Sequence, residues 1–301
     1  MRRILQLSTL GLLAGVASAC SPDTVFTTDL TPVAGVRFIN AVPDTGAAFG
    51  LDFRFVDIVE NSAAFRIPFR NGPQNTVIRA GDTVTASALI QYKAAKAGSR
   101  HFKIFLDDTL QNVASVALKD STVDLTAGHN YTFLLWGNAR STGSDKMRMT
   151  VIDENVPDPT TSVALRVINA TGSAIDVRQY AGSTVPGAAT WGNVGAYAIS
   201  PYVTTTPNQI RYNVQPAGGG TTLFADALAL IGQPIGTSTG GCTVGLDCDV
   251  SPGTTVPGSA VTLIVFPRSV AGSRAASFTT PGGSFMWDRR PPRACTVSFG
   301  C

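Results

Sequence analysis

His101 and His129 are the two imidazoles in 301 residues. A Ser-His-Asp hydrolase needs one positioned histidine, and zinc hydrolases commonly need two or three metal-binding side chains. Neither histidine belongs to an H-E-x-x-H run, and no G-K-[ST] follows the glycines of Gly218-Gly219-Gly220. His101 opens a strand-like stretch and His129 sits in a turn, so both read as surface histidines. Carboxylates offer a second chemistry. Asp153, Glu154 and Asp158 lie close together beside Asn155. Calcium takes six to eight oxygen ligands, and these three are the metal candidates; the plainer reading is a solvated acidic linker, because the spacing is not that of an EF-hand. Asp247 and Asp249 flank Cys248, and Asp107-Asp108 reads as a turn. Two carboxyl groups suffice for glycoside hydrolysis, but nothing selects a pair. No catalytic residue is assigned.

Other polar and aromatic residues recur. Arg37-Phe38-Ile39-Asn40 is echoed by Arg166-Val167-Ile168-Asn169. The asparagines are expected to close turns through bonds to the backbone, with the arginines at strand edges. Trp136, Trp191, Tyr197, Tyr202 and Trp287 form either a carbohydrate platform or, as the composition favours, core. Trp287 to Arg293 is basic and turn-rich, either touching anionic envelope polymer or standing as a solvated tail.

The address precedes all of this. Met1-Arg2-Arg3 is a positive start, Ile4 to Val16 is an uncharged apolar run, and Ala17-Ser18-Ala19-Cys20 follows. This is the layout of a secretory signal peptide, and the run is short of the roughly 20 residues a spanning helix requires. Val16-Ala17-Ser18-Ala19-Cys20 resembles a bacterial lipobox, with Ala17 where leucine is usual, so Cys20 is the expected lipidation site; secretion without lipid is the alternative. Ser21 after the cysteine resembles lipoproteins sent to an outer membrane, where the cell has one. Lipidating Cys20 leaves an even set of thiols, Cys242-x5-Cys248 and Cys295-x5-Cys301. Outside the cytoplasm these read as disulfides, with local pairing preferred among three connectivities. Zinc is the alternative, on wider spacing than usual and with no nearby histidine.

These residues need a scaffold. Hydrophobic residues are 44% and charged residues 14%, with 30 Gly and 18 Pro. That balance suits short strands and many turns. Net charge is +3, of which residues 1–19 carry two, and the basic residues are scattered. Nucleic acid is therefore not an expected partner. An internal repeat is visible in three pairs of segments: Gly35–Ala41 with Ala164–Ala170, His101–Leu106 with Ile210–Val214, and Tyr131–Trp136 with Val261–Phe266. The organisation expected is a signal peptide (1–19), a tether (20–33), a first β-sandwich (34–152), a linker (153–160), a second β-sandwich (161–290) and a disulfide-clipped tail (291–301). The fold class is all-β, two tandem immunoglobulin-like sandwiches. The stretch 223–231 (LFADALALI) fits a helix or a buried strand.

The opening VRFINAVPDTGA, the later AGHNYTFLLWG, and their order resemble the bacterial secreted family known as domain of unknown function 4397. The second half keeps LRVINA but has Thr171-Gly172-Ser173 for the Pro-Asp turn and Val261-Thr262 for Tyr-Thr. The resemblance implies an extracytoplasmic sandwich, often duplicated and lipid-anchored, and brings no catalytic residues. The expected function is a non-catalytic binding or scaffolding lipoprotein of the cell envelope. Its partners are the membrane, through the lipid, and an envelope polysaccharide or protein; no cofactor is expected. A carboxylate-dependent hydrolase and a passive spacer are the alternatives.

Overall fold

The computed structural model describes residues 32–44, 51–57, 69–71, 92–106, 110–232, 251–270 and 280–291. Val33–Cys301 forms one compact unit. Its first half holds β1 (Val33–Ala41), β2 (Leu51–Phe55), β3 (Phe69–Asn71), β4 (Lys93–Lys96), β5 (Gly98–Leu106), the single-turn helix α1 (Gln111–Ala114), β6 (Ala117–Leu125), β7 (Asn130–Trp136) and β8 (Arg148–Asp153). The second half holds β9 (Val163–Asn169), β10 (Ile175–Ala181), β11 (Trp191–Val194), β12 (Ala198–Ile199), β13 (Val203–Thr205), β14 (Ile210–Pro216), β15 (Phe224–Leu228), β16 (Ala260–Phe266) and β17 (Gly282–Arg289). The chain is all-β, as its composition implied.

Each half is a sandwich of two sheets. In the first, β3-β2-β5-β6 faces β4-β1-β7-β8. In the second, β11-β10-β14-β15 faces β12-β9-β16-β17, with β13 also on β9. Strand order is the same in both. So is one less common pairing: β1 runs parallel to β7, and β9 parallel to β16. The 223–231 stretch contains strand β15.

Alternation along the inner strands explains the layering. Side chains of a strand point alternately to its two faces. Val36, Phe38, Tyr131, Phe133 and Leu135 point into the first core, where Phe38 stacks on Phe53 at 5.0 Å and Phe53 meets Phe102 and Phe133 at 5.2 and 5.1 Å. Leu165, Val167, Val261, Leu263 and Val265 point into the second core, with Tyr212 against Phe285. The intervening residues Ile39, Ala41, Leu134, Trp136, Ile168, Ala170, Ile264, Phe266 and Met286 form a third cluster shared by both halves. The two inner sheets therefore pack face to face, and the unit is four sheets deep.

Strands buried on both faces lose their alternation and read as continuous apolar runs. All seven residues of β9 and of β16 are buried. The outer strands keep the alternation: on β5, Phe102 and Ile104 are buried, while His101 and Lys103 reach outward to Asp120. Two turns show the local chemistry. Gly218, Gly219 and Gly220 all take positive φ where β14 turns into β15, a conformation glycine enters without a Cβ penalty. Asn40 Oδ1 accepts the Val42 N–H, and Asn169 Oδ1 accepts the Thr171 N–H, both at 3.0 Å, closing the turns after β1 and β9.

Segment 153–160 is tied down rather than free. The Glu154 N–H continues the β7–β8 ladder to the Asn130 carbonyl, Pro159 is buried, and Asp158 pairs with Arg289 at 2.7 Å. Among the described residues no helix is long and apolar enough to cross a membrane.

Candidate functional site: a buried ionic seam between the sandwiches

The two inner sheets bring Arg37 and Arg166 together. Each lies on the seam face of its sheet, one step before the shared apolar cluster. The arginines expected at strand edges lie instead on β1 and β9, with hydrogen-bonded strands on both sides. Parallel pairing sets Arg37 opposite Thr132 and Arg166 opposite Thr262. Arg37 Nε donates to Thr132 Oγ1 at 2.7 Å, and Arg166 Nε donates to Thr262 Oγ1 at 2.8 Å. The guanidiniums cover Tyr92 and Tyr202 at 4.4 and 4.7 Å from the ring centroids. At the seam each half thus contributes an arginine, a threonine and a tyrosine in the same arrangement.

The carboxylates cross-link them. Glu154 follows β8 and Asp288 lies near the end of β17. Arg37 Nη2 donates to Glu154 Oε1 at 3.1 Å and to Asp288 Oδ1 at 2.5 Å. Arg166 Nη2 donates to Glu154 Oε1 at 2.9 Å and lies 3.4 Å from Asp288 Oδ1. Thr132 and Thr262 donate their hydroxyls to Glu154 and Asp288 respectively, and Tyr202 Oη donates to Asp288 Oδ2 at 2.9 Å. Arg37 Nη1 also reaches the Trp287 carbonyl at 3.2 Å. The side chains of Arg37, Glu154 and Asp288 are fully buried, and that of Arg166 is 5% exposed.

Two positive and two negative charges cancel within this cluster. Burial pushes the Asp288 carboxyl up, but Arg37 and Arg166 outweigh it and hold the group below the ordinary carboxylate range. Burial likewise opposes charge on Arg37, and the Asp288 and Glu154 carboxylates reverse that, so its guanidinium is held more firmly protonated than usual. The Tyr92 and Tyr202 hydroxyls are raised, first by burial, so both stay neutral. Chemically the arrangement is a lock: its charges face one another and not solvent.

The sequence-derived metal candidates are not brought together. Glu154 belongs to the seam, Asp153 pairs with His129 at 3.1 Å, and Asp158 pairs with Arg289. Among the described residues, no three His, Cys, Asp or Glu gather as a metal site. His101 pairs with Asp120 at 2.5 Å on the outer face of the first sandwich, and His129 stacks on Tyr131. Cys20, Cys242, Cys248, Cys295 and Cys301, with Asp107, Asp108, Asp247 and Asp249, lie outside the described residues. So does Gly236-Thr237-Ser238-Thr239-Gly240, which contradicts the expectation that the sequence holds no G-x-S-x-G run; the nucleophile elbow with that spelling belongs to a strand-to-helix turn of an α/β sheet.

The aromatics do not share one platform. Trp191 is in the second core, Trp136 is in the seam with Tyr197 edge-on at 5.8 Å, and Tyr202 lies under Arg166. Trp287 meets Tyr92 at 6.2 Å and carries Arg290 on its face at 4.7 Å.

Tyr92, Thr132, Thr262 and Asp288 were not singled out from sequence. A usable signal existed for the threonines, since each is a lone polar residue at the same place in YTFLLW and VTLIVF.

Fold and seam together define a paired β-sandwich protein whose halves are joined through a buried, charge-neutral face. Residues 34–180 match the family described as Domain of unknown function (DUF4397), so the resemblance that the two signatures carried is shown over that span. The matched span runs through the first sandwich and into β10 of the second. No curated protein matches the chain. The structure gives the Pro-Asp turn of the first signature a role: both Asp44 oxygens accept backbone N–H groups, of Ala139 and Arg140, each at 2.7 Å, tying the turn after β1 to the loop after β7.

Proposed function

We propose that this chain is an exported, lipid-anchored protein of the cell envelope whose paired sandwiches act as a non-catalytic binding or scaffolding module. The observation that carries the reading is the seam. Its four buried charges join two sandwiches into one block, and they face one another rather than a substrate cleft. A block of fixed shape on a tether is what display or bridging requires. The leader pattern ending at Cys20, and a family likeness that brings no catalytic residues, support the same view. The four later cysteines are proposed to be disulfides. The ligand class, polysaccharide or protein, belongs to the proposal and not to the site geometry.

Intact mass measurement of protein from its native host tests the address. The expected result is a chain beginning at Cys20 with acyl mass attached; an unmodified Cys20 would overturn lipidation. Peptide mapping without reductant is expected to recover 242–248 and 295–301 as linked pairs. Incubation with envelope polysaccharide, read by release of reducing ends, is expected to show no turnover; turnover abolished by a carboxylate substitution would replace this reading with a hydrolase.

A further inference from the structure

We propose that the seam also forms between two copies of this chain, the first sandwich of one docking on the second sandwich of the other, with the 155–161 segment as the exchanging hinge. The inference goes beyond the anchoring reading and does not need it.

The seam supplies the partner. Its contacts are made between elements joined by a single covalent crossing, at 155–161. All the groups that complete Arg37 across the seam, Asp288 and the Trp287 carbonyl, come from β17. All that Glu154 gains across it comes from Arg166 on β9. An exchanged pair would make these same bonds in trans, so exchange alters no contact at the interface itself. A lone seam face is a poor alternative, because it leaves Arg37, Ile39, Leu134 and Trp136 uncovered. Specificity follows from the same cluster: a partner lacking a carboxylate at the position of Asp288 leaves two buried guanidiniums sharing the one carboxylate of Glu154.

The hinge supplies the reason to exchange. Thr160 takes φ 51° in the closed form. A β-branched residue in the left-handed region is strained, and such strain is released when the segment extends. Pro157 and Pro159 stiffen the same seven-residue stretch, and the contacts to be re-made around it include Arg289 with Asp158, the Thr160 N–H with Asp158 Oδ1 and the Ser162 N–H with the Pro159 carbonyl. Short, strained hinges favour exchange over closure. Closure on a short linker has an effective concentration of about 1 mM, so the paired form is expected at high protein concentration or where chains are crowded on a surface.

The test uses residues 21–301, which keep the compact unit Val33–Cys301 whole and lack the odd thiol of Cys20. Heavy-isotope and normal chains are mixed at up to about 1 mM, diluted, and read by native mass spectrometry. Mixed heavy–light dimers are expected. Deleting Val156 to Asp158, which hampers closure, should raise the dimer fraction. Thr160→Gly, which relieves the strain of the closed form, should lower it by about tenfold. If wild type and the deletion variant both stay monomeric over the whole range while remaining folded by circular dichroism, the proposal fails. A dimer whose fraction ignores both hinge variants is held by another surface and overturns it equally.

Discussion

Arg37 and Asp288 are 251 positions apart in sequence and meet at 2.5 Å with no solvent between them. The pair joins β1, the first strand of the unit, to β17, its last described strand. Burying either charge alone is expensive, so the two residues matter most as partners.

Removing one member therefore costs more than the pair's net worth. Arg37→Met or Asp288→Asn is expected to destabilise the unit by about 3–5 kcal/mol, because a buried charge is left uncompensated. Urea unfolding followed by circular dichroism measures this. A loss below about 1 kcal/mol would mean that the seam is wet or open in solution.

Acid should act through the same group. The folded pKa of Asp288 lies below its ordinary value of 3.8. Its ionised form thus contributes stability above that value, and the contribution disappears as pH falls through the lower folded pKa. Thermal midpoints should be flat near neutrality and drop below about pH 4. Asp288→Asn should start lower and show a shallower acid limb.

Calorimetry distinguishes one block from two beads. With the seam intact, both sandwiches are expected to unfold in one transition. Ile264→Ala removes a buried side chain from the shared cluster at an expected cost of about 2–5 kcal/mol. Adding Arg166→Met should separate the endotherm into two peaks, one per sandwich.

The Pro-Asp turn offers a local test. Asp44→Ala deprives the part-buried N–H groups of Ala139 and Arg140 of a charged acceptor and should cost about 1–3 kcal/mol. Faster amide exchange at Ala139 and Arg140, with Arg37 and its partners unaffected, is the expected signature.

Much of the architecture was legible because strand periodicity is local. His101 to Leu106 announces one buried face, and the doubled Arg-x-Ile-Asn marks the two inner strands β1 and β9. The turn role of Asn40 and Asn169 could be anticipated, since the bond spans two residues. The seam was not legible, for the opposite reason. Glu154 has partners at positions 37, 132 and 166, so in sequence it looks like one more acid in a linker. Arg37 looks like a strand-edge residue because the sheet that covers it begins after position 160. Nor does a run such as AVTLIVF say whether its second face meets a sheet of its own half or of the other.

The order in which the partners emerge during synthesis adds a consequence. Arg37, Thr132 and Glu154 are complete once residue 154 has been made, so the leading half carries its own neutralising acid while it waits. Arg166 appears twelve residues later and can borrow Glu154 at once, long before Asp288 exists. Only the closing carboxylate, Asp288, depends on the last described strand to arrive.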